Sequence, residues 1–186
     1  MPIISVTLMR GYDPEVRLKL MKQMTNTACA VTGAAAEGVT VVIHEVPAEN
    51  YLRGGSRKTP GVPPRAPVDL VREYLTAMEA RDLEAARACL HESFAMTFPG
   101  GKVFHRLEQL TEWARARYRS IHKTYDGFED VAGNESSVVY CHGTLAGTWP
   151  DGDAFSGIRF IDRFTVKDGK LLDQHVWNDL AETRHR

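Results

Sequence analysis

Three residues, far apart in the chain, have groups suited to moving protons: Pro2, Asp162 and His142. Proline directly after Met1 is small enough for the methionine to be trimmed, so a chain beginning at Pro2 is expected. Its nitrogen is then a free secondary amine, walled by Ile3, Ile4, Val6 and Leu8. Burial and neighbouring cations both disfavour the protonated amine, which leaves a base or nucleophile near neutral pH. Asp162 stands out by strand parity. Across 154–166 the even positions are Ser156, Ile158, Phe160, Asp162, Phe164 and Val166, so a single ionisable group sits on an apolar face. A carboxylate there is costly unless paired, and such a group suits general acid/base work. The alternative is a structural aspartate held by a neighbouring donor. On the preceding strand, Val138, Tyr140, His142 and Thr144 share a face, and His142 can sit across from Asp162; a structural histidine is the other reading. His175 and Trp177 share a face of the last strand, and Trp113 and Tyr118 are further wall residues of an expected cavity.

The elements that must position these groups fall into two sets. Residues 2–9 read as a strand rich in β-branched side chains. Asp13-Pro14-Glu15 announces a helix, with Asp at the cap and Pro at the first helical position. Val16, Leu20, Met24, Ala28 and Val31 form its stripe, and Gly33 ends it. Residues 39–46 are a nearly continuous β-branched run, the mark of a strand buried in a sheet. Strand, helix, strand predicts parallel strands joined by a crossover. So small a unit cannot bury its own sheet and is expected to pair with a copy of itself. Residues 54–67 contain four prolines and three glycines and read as a linker, giving domains over 1–55 and 67–186 with a linker over 56–66.

After the linker, the spacing predicts helices over 68–80, 83–91 and 107–123, and a strand over 93–98. Strands over 125–131, 137–149, 154–166 and 170–177 follow, separated by Gly133-Asn134, Pro150 to Asp153 and Lys167-Asp168-Gly169 turns. Helices followed by a run of antiparallel strands give an α+β class. Such a sheet wrapped around helices leaves an apolar cavity, the default ligand site.

Composition bounds the function. Hydrophobic residues make up 43% and charged residues 25% of 186, as in an ordinary globular protein. The net charge of -1 gives no basic field for nucleic acid. Residues 1–65 carry a net +3 and the remainder a net -4, so the first part suits an anionic substrate. Cys29, Cys89 and Cys141 show no metal or redox spacing and read as reduced thiols of a cytoplasmic protein. No apolar run long enough to cross a membrane occurs. With no phosphate loop, dinucleotide pattern or metal cluster, neither cofactor nor metal is expected.

Two resemblances sharpen this. Met1-Pro2-Ile3-Ile4, the acid-capped helix, the Val39 to Val46 strand and Pro47 to Gly55 together resemble the 4-oxalocrotonate tautomerase family over roughly residues 1–55. The resemblance implies a β-α-β subunit that assembles as dimers or hexamers. It implies Pro2 as the base that moves a proton between carbons of an enol or keto acid, and Tyr51 as an aromatic wall. Tyr12 and Thr40 stand where the best-known members have carboxylate-binding arginines; His44 or Arg53 could take over that role. In the second half, Asp126-Gly127-Phe128, Gly157 to Phe164, Asp168 to Leu171 and His175 to Leu180 resemble the SnoaL-like branch of the nuclear transport factor two-like, cone-shaped α+β fold, over about residues 67–181. That resemblance implies helices packed in a curved antiparallel sheet, with Asp162 and His142 in acid/base roles.

Two functional readings follow. In the first, the chain is a cofactor-free tautomerase or isomerase, Pro2 is its base, and a hydrophobic or anionic carbonyl compound is its substrate. In the second, the tautomerase half is only an assembly module, and the SnoaL-like half works as a cyclase, isomerase or small-molecule binder.

Overall fold

In a computed structural model, residues 1–183 are described, and the chain divides into two compact units, Met1–Pro63 and Pro64 onward. In the first unit, strand β1 (Ile3–Met9) and strand β2 (Thr40–Val46) pair in parallel, with Ile3 against Thr40 and Thr7 against His44. Helix α1 (Pro14–Thr32) makes the crossover. It starts at Pro14, whose fixed φ and missing N–H suit a first turn. It stops at Gly33, which takes the left-handed φ of 71° and donates to the Cys29 carbonyl at 2.9 Å. Strand alternation leaves Ile4, Val6 and Leu8 half-buried and Ile3, Ser5 and Thr7 exposed. β2 shows the same alternation, where the β-branched run predicted burial on both faces. The reason is plain in the pairing: β2 has one neighbour, and no residue of this unit is buried within the single chain.

Gly54 and Gly55, predicted as the start of a linker, form a tight turn instead. Both take positive φ, 60° and 73°, and so join strand β3 (Leu52–Arg53) to strand β4 (Ser56–Arg57). A two-residue turn of this hand matches the twist of a hairpin and favours glycine.

The second unit has a real interior. A six-stranded sheet runs in the order β6-β5-β10-β9-β8-β7, from β5 (Leu90–Phe98), β6 (Lys102–Phe104), β7 (Ser120–Ala132), β8 (Ser137–Thr148), β9 (Ala154–Lys167) and β10 (Lys170–Asn178). It is antiparallel except where β10 meets β5. Helix α2 (Pro67–Glu79) buries Leu70, Val71, Tyr74, Leu75 and Ala77. Helix α3 (Leu83–Ala88) is capped by Asp82, whose carboxylate accepts from the Ala85 N–H at 2.9 Å. It is shorter than predicted, because the chain enters β5 at Leu90. Helix α4 (Leu107–Arg115) buries Leu107, Leu110 and Ala114. It ends eight residues before the predicted Lys123, since Ser120 already pairs with Thr148 in β7. A short helix α5, Leu180–Thr183, follows the sheet. Phe94, Met96, Leu145, Phe164 and Leu171 are buried in the core, each contributing on the order of 1.5–3 kcal/mol by leaving water.

Three bulges set which side chains face inward. Asp126 is extra on β7, Leu172 is extra on β10, and Ser156-Gly157 oppose Ala146 between β9 and β8. At the last of these, Gly157 takes φ 68°, the left-handed geometry of a glycine bulge. Phe155 is therefore buried while Ser156 is exposed, the reverse of the parity read from the sequence; from Ile158 onward the even positions do face inward.

Strand crossings are tightest at Gly143, where an added Cβ would lie 1.9 Å from the Thr124 carbonyl oxygen. Gly143→Ala should lower the stability of the second unit by about 1–3 kcal/mol or more. Gly38→Ala, with nothing within 4 Å of the new atom, should change the urea midpoint little. Equal midpoints for the two variants would contradict the β7–β8 crossing.

Candidate functional site

In the second unit α2, α4 and the inner face of the sheet enclose a cavity of about 150 Å³. Trp113, Tyr118, Tyr125, Phe98 and Phe160 supply aromatic walls, and Asp162 lies among them. Trp113 is held by Phe98 and Phe104, with ring centroids 5.6 and 5.5 Å away.

Asp162 sits on β9 between Phe160 and Phe164 with its side chain wholly buried. Lys123, reaching in from β7, donates to Oδ2, and its ammonium also lies over the Phe160 ring, 4.4 Å from the centroid. Gln174 Nε2 donates to the same oxygen at 3.4 Å. The Tyr74 hydroxyl donates to Gln174 Oε1 at 3.0 Å, which fixes the amide's orientation. Oδ1 has no hydrogen-bond partner among the described residues. The carboxylate is thus anchored through one oxygen, and the other is left without a partner among the described residues. Losing Lys123 would leave an uncompensated buried charge, a cost of about 3–5 kcal/mol.

The surrounding groups respond to that charge. Burial first, then the Asp162 carboxylate, push the Tyr74 hydroxyl far above the ordinary phenol range. Cys141, directly paired with Asp162 across β8 and β9, is pushed up to about 12 by burial and then by the same carboxylate. Tyr125 is raised by burial, then by Cys141 and Asp162. At neutral pH these are neutral hydrogen-bonding groups. Asp162 and Lys123 are the charged pair inside the cavity.

His142 and Asp162 are not brought together. The inner face of β8 is Val139, Cys141, Gly143 and Leu145, so His142 points to the other side, its ring over Gly127. His175 is likewise outside: the bulge at Leu172 reverses parity, placing Gln174 and Val176 inward. The His175 ring stacks on Trp177 at 5.9 Å, with Nε2 3.9 Å from Asp173 Oδ1. Lys123, Gln174 and Tyr74 were missed by the sequence reading. For Lys123 the signal was present, since Ile121, Lys123 and Tyr125 alternate with exposed residues at the strand period.

In the first unit, Pro2 lies half-buried just ahead of β1, its carbonyl accepting from the Thr40 N–H at 3.0 Å. Tyr12 accepts from the Gly61 N–H at 3.2 Å through its hydroxyl. Tyr51 is half-buried; His44 and Arg53 are exposed, on β2 and β3. No hydrogen bond among the described residues links these five to one another. Among the described residues no group of three or more His, Cys, Asp or Glu is placed to hold a metal ion, and no helix is long and apolar enough to cross a membrane.

Comparison with known proteins divides the chain in the same two parts. The family model described as tautomerase enzyme matches residues 2–60, and that of the SnoaL-like domain matches residues 71–174. A probable tautomerase of Ralstonia nicotianae is 39% identical over 66 residues, covering 35% of this chain and 94% of that protein. An NTF2-like protein of Burkholderia thailandensis superposes with a TM-score of 0.54 at 18% identity, over 65% of this chain and 96% of its own. An NTF2-like protein of unknown function from Burkholderia pseudomallei gives a TM-score of 0.52 at 21% identity, over 63% and 94%. These two likenesses concern the fold.

The raised thiol and phenols set an alkaline limit. Cys141 keeps its proton in the folded state up to about 12, whereas an ordinary thiol loses it near 9.0. Between those values the folded chain binds more protons than the unfolded one. The stabilisation is therefore full below about pH 9 and is lost as pH rises towards 12. Tyr74 and Tyr125 act in the same direction. All three tryptophans belong to the second unit, so their fluorescence follows its unfolding alone. The urea midpoint should fall steadily from about pH 9 to 11, and Cys141→Ala should flatten the fall; a midpoint that holds or rises would contradict this burial.

Proposed function

The chain belongs to the SnoaL-like domain family and carries a tautomerase-family unit ahead of that domain, and we propose that it is an isomerase that moves protons next to a carbonyl, with a separate acid/base site in each unit. The observation that carries this reading is the wholly buried Asp162, with Oδ1 unpartnered in an aromatic-lined cavity and Lys123 beside it. A base and a cation in one dry site are the two parts that enolisation needs. The α-proton of a bound carbonyl compound passes to Asp162 Oδ1. The electron pair moves onto the carbonyl oxygen, whose charge faces the Lys123 ammonium. Return of the proton to another atom of the conjugated system completes the isomerisation. Gln174 and Tyr74 hold Asp162 in place throughout.

In the tautomerase-type unit, removal of Met1 turns the Pro2 nitrogen from an amide into a secondary amine. That amine takes the role of base, Tyr51 walls the substrate, and Arg53 or His44 meets its carboxylate in place of the family arginines. The β-α-β unit supports this reading by its match to probable tautomerases over nearly their whole length.

A second reading has its own support. No residue of the first unit is buried in the single chain, and Ile3 and Val42 of its sheet are 71% and 38% exposed. A unit so built is stabilised by association, and assembly into a dimer or hexamer would be its task even without catalysis.

Three measurements separate these. Intact mass of the purified protein should be lower than the full sequence by one methionine; a retained Met1 ends the proline mechanism. Ketonisation of phenylenolpyruvate should fall about a hundredfold or more in Pro2→Ala, with Asp162→Asn removing a further, independent share of isomerase activity. If Pro2→Ala turns over at the unaltered rate while light scattering reports an oligomer, the first unit is an assembly module.

A further inference from the structure

The rim of the second-unit cavity carries charge that the proton-transfer reading does not use. Arg81 and Arg117 both line the cavity, and both act electrostatically on the Tyr118 hydroxyl between its walls. Neither guanidinium is ion-paired among the described residues, whereas Lys123 and Asp162 satisfy each other. Glu79, the carboxylate at the same rim, is bonded to His122 Nδ1 at 3.1 Å. The rim thus carries two guanidiniums against one carboxylate, and neither guanidinium is paired with it.

Arg81 is also held in an unusual backbone conformation. Helix α2 ends with the Asp82 N–H donating to the Ala77 carbonyl at 2.9 Å and the Arg81 N–H to that of Met78 at 3.2 Å. This is the Schellman ending, in which the residue at Arg81's place turns left-handed and is usually glycine. Arg81 takes φ 62° there. The other described non-glycine residue at positive φ, Asp168, sits in a tight turn before Gly169 and is of a type that tolerates it. Arginine has no such local excuse, and strain of this kind concentrates at functional sites. What the strain secures is a guanidinium at the mouth of the cavity. Arg117 is fixed differently: its guanidinium lies over the Trp113 ring, 4.5 Å from the centroid, which orients the fork and leaves its N–H edge free for a carboxylate.

The interior sets the rest of the ligand. About 150 Å³ is the size of cavity that holds a single benzene ring. From these features we propose that the cavity takes a planar, one-ring conjugated carboxylic acid, ring inward against Trp113 and Phe160, carboxylate at the rim on Arg81 and Arg117. This deepens the reading of Asp162 as proton acceptor by giving its substrate class, and it rests on that reading only for the chemistry, not for the binding.

trans-Cinnamate and its neutral amide, cinnamamide, are suitable probes, titrated calorimetrically into the full chain. Cinnamate should bind at least about tenfold more tightly than cinnamamide. In Arg81→Gly the preference should drop severalfold while Tm rises, because glycine relieves the left-handed strain. Weakened binding in a more stable protein cannot be misfolding. In the double variant with Arg117→Gln the preference should disappear. Equal affinity for the two probes, no binding of either, or a preference that survives the double variant, as binding in the first unit would give, overturns the proposal. Asp162→Asn separates this from the catalytic reading. Made in a Pro2→Ala background, where the first unit contributes no turnover, that variant decides: if the residual turnover persists while the arginines still select cinnamate, the proton-transfer reading falls and the ligand class stands; loss of the residual turnover with no arginine-dependent preference gives the reverse.

Discussion

A carboxylate without contact with water is the constraint around which the second unit is arranged. Asp162 is wholly buried, and an ionised group in such a place must be matched by a cation and by hydrogen bonds or it will not stay ionised. Lys123 supplies the cation from two strands away, and Gln174 supplies a donor from the strand on the other side. Tyr74 ties that amide to helix α2. Three strands and a helix are thereby committed to one oxygen atom. The same charge helps keep Tyr74 and Cys141 protonated.

What could be read from the sequence was what is local. The β-α-β pattern, the Pro14 start and Gly33 stop of α1, and the Asp82 cap each depend on residues a few positions apart, and the structure has them. The solitary charge on the inner face of β9 was also visible, because alternation holds from Ile158 to Val166. Its partners were not. Lys123 lay within what looked like a continuing helix, although Ile121, Lys123 and Tyr125 keep the period of a strand. His142 and His175 were assigned to the inner surface by straight counting, and bulges and cross-strand register decide such matters between segments, not within them.

The two units solve burial in opposite ways. The second closes a six-stranded sheet over helices and reaches full burial for residues such as Val71, Met96 and Phe164. The first has a parallel pair of strands crossed by one long helix, and several of its apolar side chains, Ile3, Leu18 and Val31 among them, stay exposed. Area alone explains the difference: a single β-α-β crossover has one sheet face to cover with one helix, and the other face has nothing of its own unit to meet.

The glycine bulge in β9 carries a consequence of arithmetic. Two residues, Ser156 and Gly157, stand against the single Ala146. Phe155 is buried on one side of this irregularity and Ile158 on the other, three positions later, where an unbroken strand would alternate every two. Counted without the interruption from Phe155, the inward places would fall to Ile161 and Arg163, and Asp162 would stand in solvent. The identity of the acid is written at position 162, but its burial is written five residues earlier, in a spacer with no side chain. A protein can therefore acquire or discard a buried acid by inserting or deleting one residue at a distance, with every functional side chain left unchanged.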